Sequence, residues 1–364
     1  MKKLKIAVIG LKGLPAFGGA ARSGENLINV LKNHYEFHVM SVGSHTTHNR
    51  QQNGYIQIVF KPFLVNGLNT VVYYFKSAFY CLFKGRYDLI HVHHITSALI
   101  LPILKLKYRV ILTLHGIPQK VDKWESIGWW LFPILERVSL IFSDIVITVS
   151  YSHLSYYKKL TSKPIYHIPN GVVNTPENNL LPPNNITSEY ILFAAARILK
   201  IKGCHTFLKA LINIKYSGNI VIIGDIEQNK LYREEILKLS KYLNVTFTGL
   251  IKDRDLLLRY IKNARLFIFP SIIEAMSNIL LEVAVMRIPI IASNIPENKI
   301  IFNTNEILYF KVEDYLDLSK KITWALNHKN QMASKAQKAY DKVIKKYIWN
   351  DIALQYSKLY NNLI

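Results

Sequence analysis

The sequence predicts an α/β protein made of two tandem parallel-sheet domains. Three observations carry that expectation. At 364 residues the chain has room for two domains, each with a full core of its own. Half of its residues are apolar and only 19% are charged, which excludes a disordered or low-complexity class. Short apolar runs rich in β-branched residues alternate with longer segments of helical period, with no internal repeat.

In the first part, strands are expected at Lys5–Ile9, Phe37–Val42, Ile56–Phe60, Leu89–Val92, Val110–Leu114, Ile145–Val149 and Ile165–Ile168. Helices near Glu25–Leu31, Asn69–Phe83 and Trp129–Phe142 fall between them, a series that closes by right-handed crossovers into a parallel sheet. The stretch NGVVNTPENNLLPPNNITSE, crowded with Asn, Pro and Thr, reads as a linker at 172–189. A second series follows, with strands at Tyr190–Ala195, Ile220–Ile223, Val245–Phe247, Leu266–Phe269 and Ile288–Ala292, each before a helical stretch. The expectation is thus two Rossmann-like domains, 1–171 and 190–349, facing across a cleft outside the carboxyl ends of their strands. From about Val312 the pattern is almost wholly helical and rich in Lys. Trp349, Ile352, Tyr356 and Leu359 sit at helical spacing, so a final helix at about 350–364 packs either back on the first domain or on its own.

Several classes fall away. Cys81 and Cys204 are too few and too far apart for a disulfide framework or zinc ribbon, which favours a reducing compartment. The basic start MKKLK precedes an apolar run broken by Lys12, unlike a signal peptide. The longest apolar stretches are interrupted by Lys76, Pro102, or Glu136, Arg137 and Asp144, so none reaches a membrane span. The net charge is +22, with 20 Lys/Arg against 7 Asp/Glu in residues 1–170 and 26 against 17 beyond. The denser excess in the first part fits an anionic membrane surface or a phosphate-bearing substrate. Nucleic acid is not expected as a partner, because no base-stacking motif accompanies the charge.

The chemistry-bearing residues lie at predicted strand ends. GLKGLPAFGG places Gly10, Gly13, Gly18 and Gly19 between the first strand and a helix, where backbone can approach an anion. The second strand ends Ser41, Val42, Gly43, Ser44, without the acid that a dinucleotide site needs. Arg197 and Lys202, followed by Gly203, could clamp a diphosphate, Arg through its planar fork and Lys as a point charge. In PSIIEAMSNILLEVA, Glu274 occupies a loop and Glu282 the second turn of the following helix, pointing back toward the same end of the sheet. Between them the amides of Met276, Ser277, Asn278 and Ile279 form a helix N-terminus suited to phosphate oxygens. A carboxylate is suited to gripping vicinal hydroxyls of a sugar or ribose. His115, at the end of YRVILTLH, meets the cleft. His91, His93 and His94 lack a nearby Asp or Glu to complete a metal site. Asp253, Arg254 and Asp255 read as the charged start of a helix.

Together these residues resemble the GT-B glycosyltransferases, in particular the large retaining family with a C-terminal Glu-x7-Glu element, here Glu274 and Glu282 after Phe269, Pro270 and Ser271. Arg197, Lys202 and Gly203 match its Arg and Lys-Gly pattern, and His115-Gly116 its N-domain histidine motif. KIAVIGLKGLPAFGG and HGIPQKVDKW are similar to members that build bacterial surface polysaccharides. Ala275, Ile201 and Arg287 depart from the pattern, the last two where the family often has an acid and a Gly, and Glu25 arrives later than the family's Glu after Gly-Gly. The resemblance implies transfer of a sugar from a nucleotide-sugar donor to a glycan or lipid-linked acceptor, with retention and without a metal or other cofactor. The basic first part and the aromatic, Lys-containing segment NGLNTVVYYFKSAFYCLFKGR point to a cytoplasmic protein docked peripherally on the membrane, unless that segment instead packs inside the first domain. It implies that Arg197 and Lys202 bind the diphosphate, Glu282 the ribose, and Glu274 with Met276–Asn278 the sugar and phosphates. It places Gly19 against the leaving phosphate, His115 beside the sugar, and the turn ending at Ile251 near the base. A non-catalytic sugar-nucleotide or glycan-binding module is the alternative.

Overall fold

The structure is a computed structural model that describes residues 3–16, 18–46, 54–63, 68–116, 128–174, 181, 183 and 189–364. Most of the expected linker, and HGIPQKVDKW beyond Gly116, lie outside the described residues. The chain forms two compact units, one of Met1–Gly171 with Trp349–Ile364 and one of Val172–Ile348.

The first unit runs β1 (Leu4–Lys12), α1 (Gly19–Leu31), β2 (Tyr35–Val42), β3 (Ile56–Phe60), α2 (Asn69–Phe83) and β4 (Leu89–His93). A 3-10 turn at Ile95–Ile100 leads into the short α3 (Leu101–Leu104), then β5 (Arg109–Leu114), α4 (Gly128–Phe142), β6 (Ile145–Thr148), α5 (Tyr151–Lys158) and β7 (Ile165–His167). All seven strands are parallel, in the order β3-β2-β1-β4-β5-β6-β7. Strands buried on both faces must be apolar almost throughout, and β1 is, from Ile6 to Leu11. One face of the sheet packs against Tyr73, Tyr74 and Ala78 of α2 and Leu135 of α4. The other packs against Leu27 and Ile28 of α1.

The second unit runs β8 (Tyr190–Arg197), a 3-10 turn at Lys200–Lys202, α6 (Cys204–Asn213), β9 (Asn219–Asp225), α7 (Lys230–Ser240), β10 (Asn244–Gly249) and α8 (Arg254–Lys262). It continues with β11 (Leu266–Phe269), α9 (Asn278–Val285), β12 (Ile290–Ser293), α10 (Pro296–Ile301), β13 (Leu308–Phe310), α11 (Tyr315–Asn327) and α12 (Lys329–Lys346). Its six strands are again all parallel, in the order β10-β9-β8-β11-β12-β13.

The last helix, α13 (Trp349–Leu363), packs within the first unit. Trp349, Ile352, Ala353, Tyr356, Leu359 and Tyr360 are buried in the same cluster as Leu27, Ile28 and Phe37. Polar contacts fix its register: Tyr35 Oη lies 2.7 Å from Ser357 Oγ, and Tyr360 Oη 2.8 Å from His91 Nδ1.

Sequence reading does not name β13, α3 or α5, which are too short to show a periodicity. β12 starts two residues later than expected. Arg287 there adopts φ 53°, a left-handed conformation in which glycine carries no steric penalty. The family's usual Gly at this position therefore has a backbone reason. Arg287 stands there with its guanidinium 3.7 Å over the Tyr340 ring.

In each sheet the strand order reverses beside a central strand, between β1 and β4 in one unit and β8 and β11 in the other. Crevices at the carboxyl ends of such strand pairs are where ligands bind in open α/β sheets. Gly10–Gly13 and His93 mark that edge in the first unit, Arg197 and Pro270 in the second.

Candidate functional site

In the second unit, one close backbone approach builds the site. Gly203 has φ 70°, and a Cβ on it would lie 2.0 Å from the Pro270 carbonyl oxygen, so a side chain cannot stand there without displacing the loop. Ile272 N donates to Ile201 O at 2.8 Å across the same contact. With the two backbones locked together, Lys202 Nζ reaches Glu274 Oε1 at 2.6 Å. The pair is largely shielded, with side chains 26% and 11% exposed, so the charge-assisted bond is weakly screened.

A second ion pair lies on the same side of the fold. Asp253 Oδ1 accepts from Asp255 N at 2.9 Å and Leu256 N at 3.2 Å, an N-cap that starts α8 at Arg254. Arg254 Nη1 then donates to Glu282 Oε1 at 2.5 Å. Glu282 is buried in the second turn of α9, and its neutralising partner is what makes that burial tolerable. Ser277 is the N-cap residue of α9 but its side chain makes no capping bond. Ile251, Met276 and Ile279 are partly buried against the apolar cluster beneath. Arg197 is exposed at the end of β8, in register with Asp225.

In the first unit, Gly10 has φ 108°, and a Cβ on it would lie 2.1 Å from the His93 carbonyl oxygen. Its glycine identity thus serves the junction of β1 with β4. Tyr73 Oη holds the same point, accepting from Gly10 N at 3.0 Å and donating to Met40 O at 2.8 Å. The loop beyond is pinned by Gln57, which bonds both Leu14 N and Leu14 O, and by Glu25, whose Oε2 accepts from Ala16 N. Gly18 and Gly19 open α1 and are exposed.

Four imidazoles gather where β4 and β5 end. His91 Nδ1 meets Tyr360 Oη and its Nε2 meets Thr113 Oγ1, both at 2.8 Å. His93 Nδ1 lies 2.9 Å from His115 Nε2, with the rings stacked at 17°. His94, at φ 76°, has its ring centroid 5.4 Å from that of His115. Burial pulls all four below the ordinary histidine value: His91 to about 3, His94 to about 4 with help from the Lys12 charge, and His93 and His115 well below it. Among the described residues no three His, Cys, Asp or Glu side chains are grouped to hold a metal ion. Burial pushes the Cys81 thiol up to about 12 and raises that of Cys204 as well, which makes neither a nucleophile.

Comparison with known proteins agrees with this architecture. Residues 17–174 match the model of Glycosyltransferase Family 4, and residues 178–342 that of glycosyl transferases group 1. The chain carries two glycosyltransferase domains in succession, arranged in a GT-B fold. A curated relative, the 2-deoxystreptamine N-acetyl-D-glucosaminyltransferase of Niallia circulans, is 26% identical over 58% of this chain and 59% of its own. The chain thus spans less than two thirds of that relative. The O-antigen biosynthesis glycosyltransferase WclY of Escherichia coli is 25% identical over 76% of this chain and 80% of its own. Among solved structures, the sucrose-phosphate synthase of Thermosynechococcus elongatus superposes with a TM-score of 0.84 at 21% identity, over 99% of both chains. Anabaena Alr3699/HepE in complex with UDP-glucose does so with 0.80 at 15% identity, over 99% of this chain and 100% of that one.

In this GT-B chain the structure brings Lys202 and Glu274 into direct contact. Glu282 meets a different cation, Arg254, which sequence reading assigns only to the start of a helix. The missed signal was electrostatic, since a carboxylate on a helix as apolar as NILLEVAV asks for a partner. From sequence His93 reads only as a candidate metal ligand, whereas the structure joins it to His115.

Proposed function

We propose that the chain transfers a sugar, with retention of configuration, from a nucleotide-sugar donor to a glycan or lipid-linked acceptor in bacterial cell-surface polysaccharide synthesis. The observation that carries this reading is the Lys202–Glu274 pair, fixed at the crevice of the second sheet beside the N-terminus of α9. As the glycosidic bond to the donor breaks, negative charge grows on the leaving diphosphate. Arg197, Lys202 and the amides of Met276–Asn278 stabilise that charge where it develops, in positions set before the donor arrives. Glu282 takes the ribose hydroxyls and Glu274 the sugar, while Gly19 and His115 are the ligand contacts of the first unit. The capsule and O-antigen roles named for similar proteins support the surface-polysaccharide assignment.

A thermal-shift panel of UDP-, GDP- and dTDP-sugars tests the donor class. A true donor at about 100 times its Kd adds about 2.7 kcal/mol of stability by mass action, a shift of several degrees. No shift with any nucleotide sugar overturns the reading. The anomeric configuration of the product, read by NMR, tests retention.

No helix among the described residues is long and apolar enough to cross a membrane. Docking of the first unit on the cytoplasmic face of an anionic membrane is supported by α2. Its inner face buries Tyr73, Tyr74, Ser77, Ala78 and Cys81, while Phe75, Phe79 and Phe83 stack along another. Phe79 is 50% exposed and Phe83 80%, and residues 61–86 carry Lys61, Lys76, Lys84 and Arg86 without one acid. Aromatic rings flanked by cations suit a headgroup boundary. F79S/F83S/K84E is expected to cut binding to phosphatidylglycerol vesicles by about tenfold or more, at about 1 kcal/mol per lost cation plus the lost apolar area. Unchanged co-sedimentation would remove the docking assignment.

A further inference from the structure

We propose that His93 is a positioning residue that fixes His115 as its Nδ1–H tautomer, so that His115 offers its ligand a hydrogen-bond donor. The functional consequence rests on the proposed role of His115; the tautomer itself does not. Two neutral imidazoles that share one hydrogen bond leave two arrangements. In the first, His93 Nδ1–H donates to His115 Nε2, and His115 carries its own proton on Nδ1. In the second, His115 Nε2–H donates to His93 Nδ1, and the proton of His93 must then sit on Nε2.

The surroundings of His93 decide between them. It is 2% exposed, and its Nε2 has no hydrogen-bond partner among the described residues. The second arrangement would bury an N–H with no acceptor, which folded proteins almost never tolerate, whereas an unmatched lone pair is met more often. The first arrangement leaves only the lone pair unmatched. Both rings are neutral at ordinary pH, because burial holds them well below the usual histidine range, so neither ring carries a second proton to blur the choice.

The backbone holds this pair in place. His93 ends β4 and its carbonyl is the atom that Gly10 approaches, while Leu114, just before His115, ends β5 in the neighbouring ladder. The hydrogen bond at 2.9 Å and the stacked rings then leave little rotational freedom. A neutral His115 whose Nε2 is occupied as an acceptor has one polar atom left, an N–H. It serves to hold a ligand oxygen such as a sugar hydroxyl, and it does not take a proton from one.

Long-range proton–nitrogen correlation spectra of the full chain, labelled with nitrogen-15 in histidine, read the tautomer directly. Wild type at pH 7.5 should show His115 protonated on Nδ1, the minority form of free histidine. In H93F that signature should be lost, and in H93N, whose side-chain amide nitrogen stands near the original Nδ1, it should return. A wild-type spectrum showing His115 protonated on Nε2 overturns the assignment, as does H93F folding with the Nδ1–H form intact. The wild-type spectrum decides even if H93F does not fold. Failure of the chain to turn over any donor would count against the proposed function and leave the tautomer result standing.

Discussion

Replacing Glu274 by Gln should lower sugar transfer by about 100- to 1,000-fold, a loss of about 3–4 kcal/mol of transition-state stabilisation, while the fold survives. The substitution keeps the size of the side chain and can still accept a hydrogen bond from Lys202 Nζ at the 2.6 Å contact. It removes the negative charge. The contact that orders the loop, Gly203 against Pro270, is made by backbone and is untouched. Donor affinity should change much less than turnover, since Arg197 and Lys202 keep their charges, so kcat should fall far more than KM rises. Glu282→Gln should show the opposite balance and weaken donor binding, because it also removes the partner of the Arg254 guanidinium. Steady-state transfer and donor hydrolysis, measured with the donor found in the thermal-shift panel, check both. A drop of less than tenfold in Glu274→Gln would show that this carboxylate is not part of the reacting centre.

The first unit should lose stability steeply as pH falls below about 6.5. His91 is fully buried with both ring nitrogens satisfied, and its pKa is pulled down to about 3; that of His94 is pulled to about 4. An unfolded histidine titrates near 6.5. Between that value and the folded one, the unfolded chain binds protons that the folded chain refuses. Stability is therefore fully present above about 6.5 and falls as acid is added, by about 1.4 kcal/mol per pH unit for each such histidine. With His93 and His115 shifted the same way, going from pH 7.5 to 5.0 removes several kcal/mol, a large share of the stability of a typical domain. Denaturant unfolding at the two pH values, followed by tryptophan fluorescence, reads this. Trp349 is buried in the core of the first unit, so in a W324F background the change in its emission reports on that unit. A midpoint that stays constant from pH 7.5 to 5.0 would contradict the neutral state of the four rings.

The residues of the candidate site differ in how openly the sequence announces them. Glu274 and Glu282 are legible because a strand, a short loop and an apolar helix fix where both carboxylates point. Arg254 is not, since its partner lies 28 positions away on another helix and nothing in the local pattern of Asp253-Arg254-Asp255 refers to it. Glycines mislead in a related way. Gly10 reads as an opening for a ligand, yet what approaches it is the carbonyl of His93 on a neighbouring strand.

The amino-acid order by itself determined the alternation of strand and helix, the two parallel sheets and the strand ends at which the charged residues sit, because hydrophobic period and turn chemistry act over a few neighbouring residues. Only the tertiary structure decided which cation meets which carboxylate, that α13 closes the first unit, and that His93 rather than solvent faces His115. Those choices depend on packing between segments tens to hundreds of residues apart, where side-chain volume and the need to satisfy every buried polar atom leave one arrangement out of many that local patterns allow.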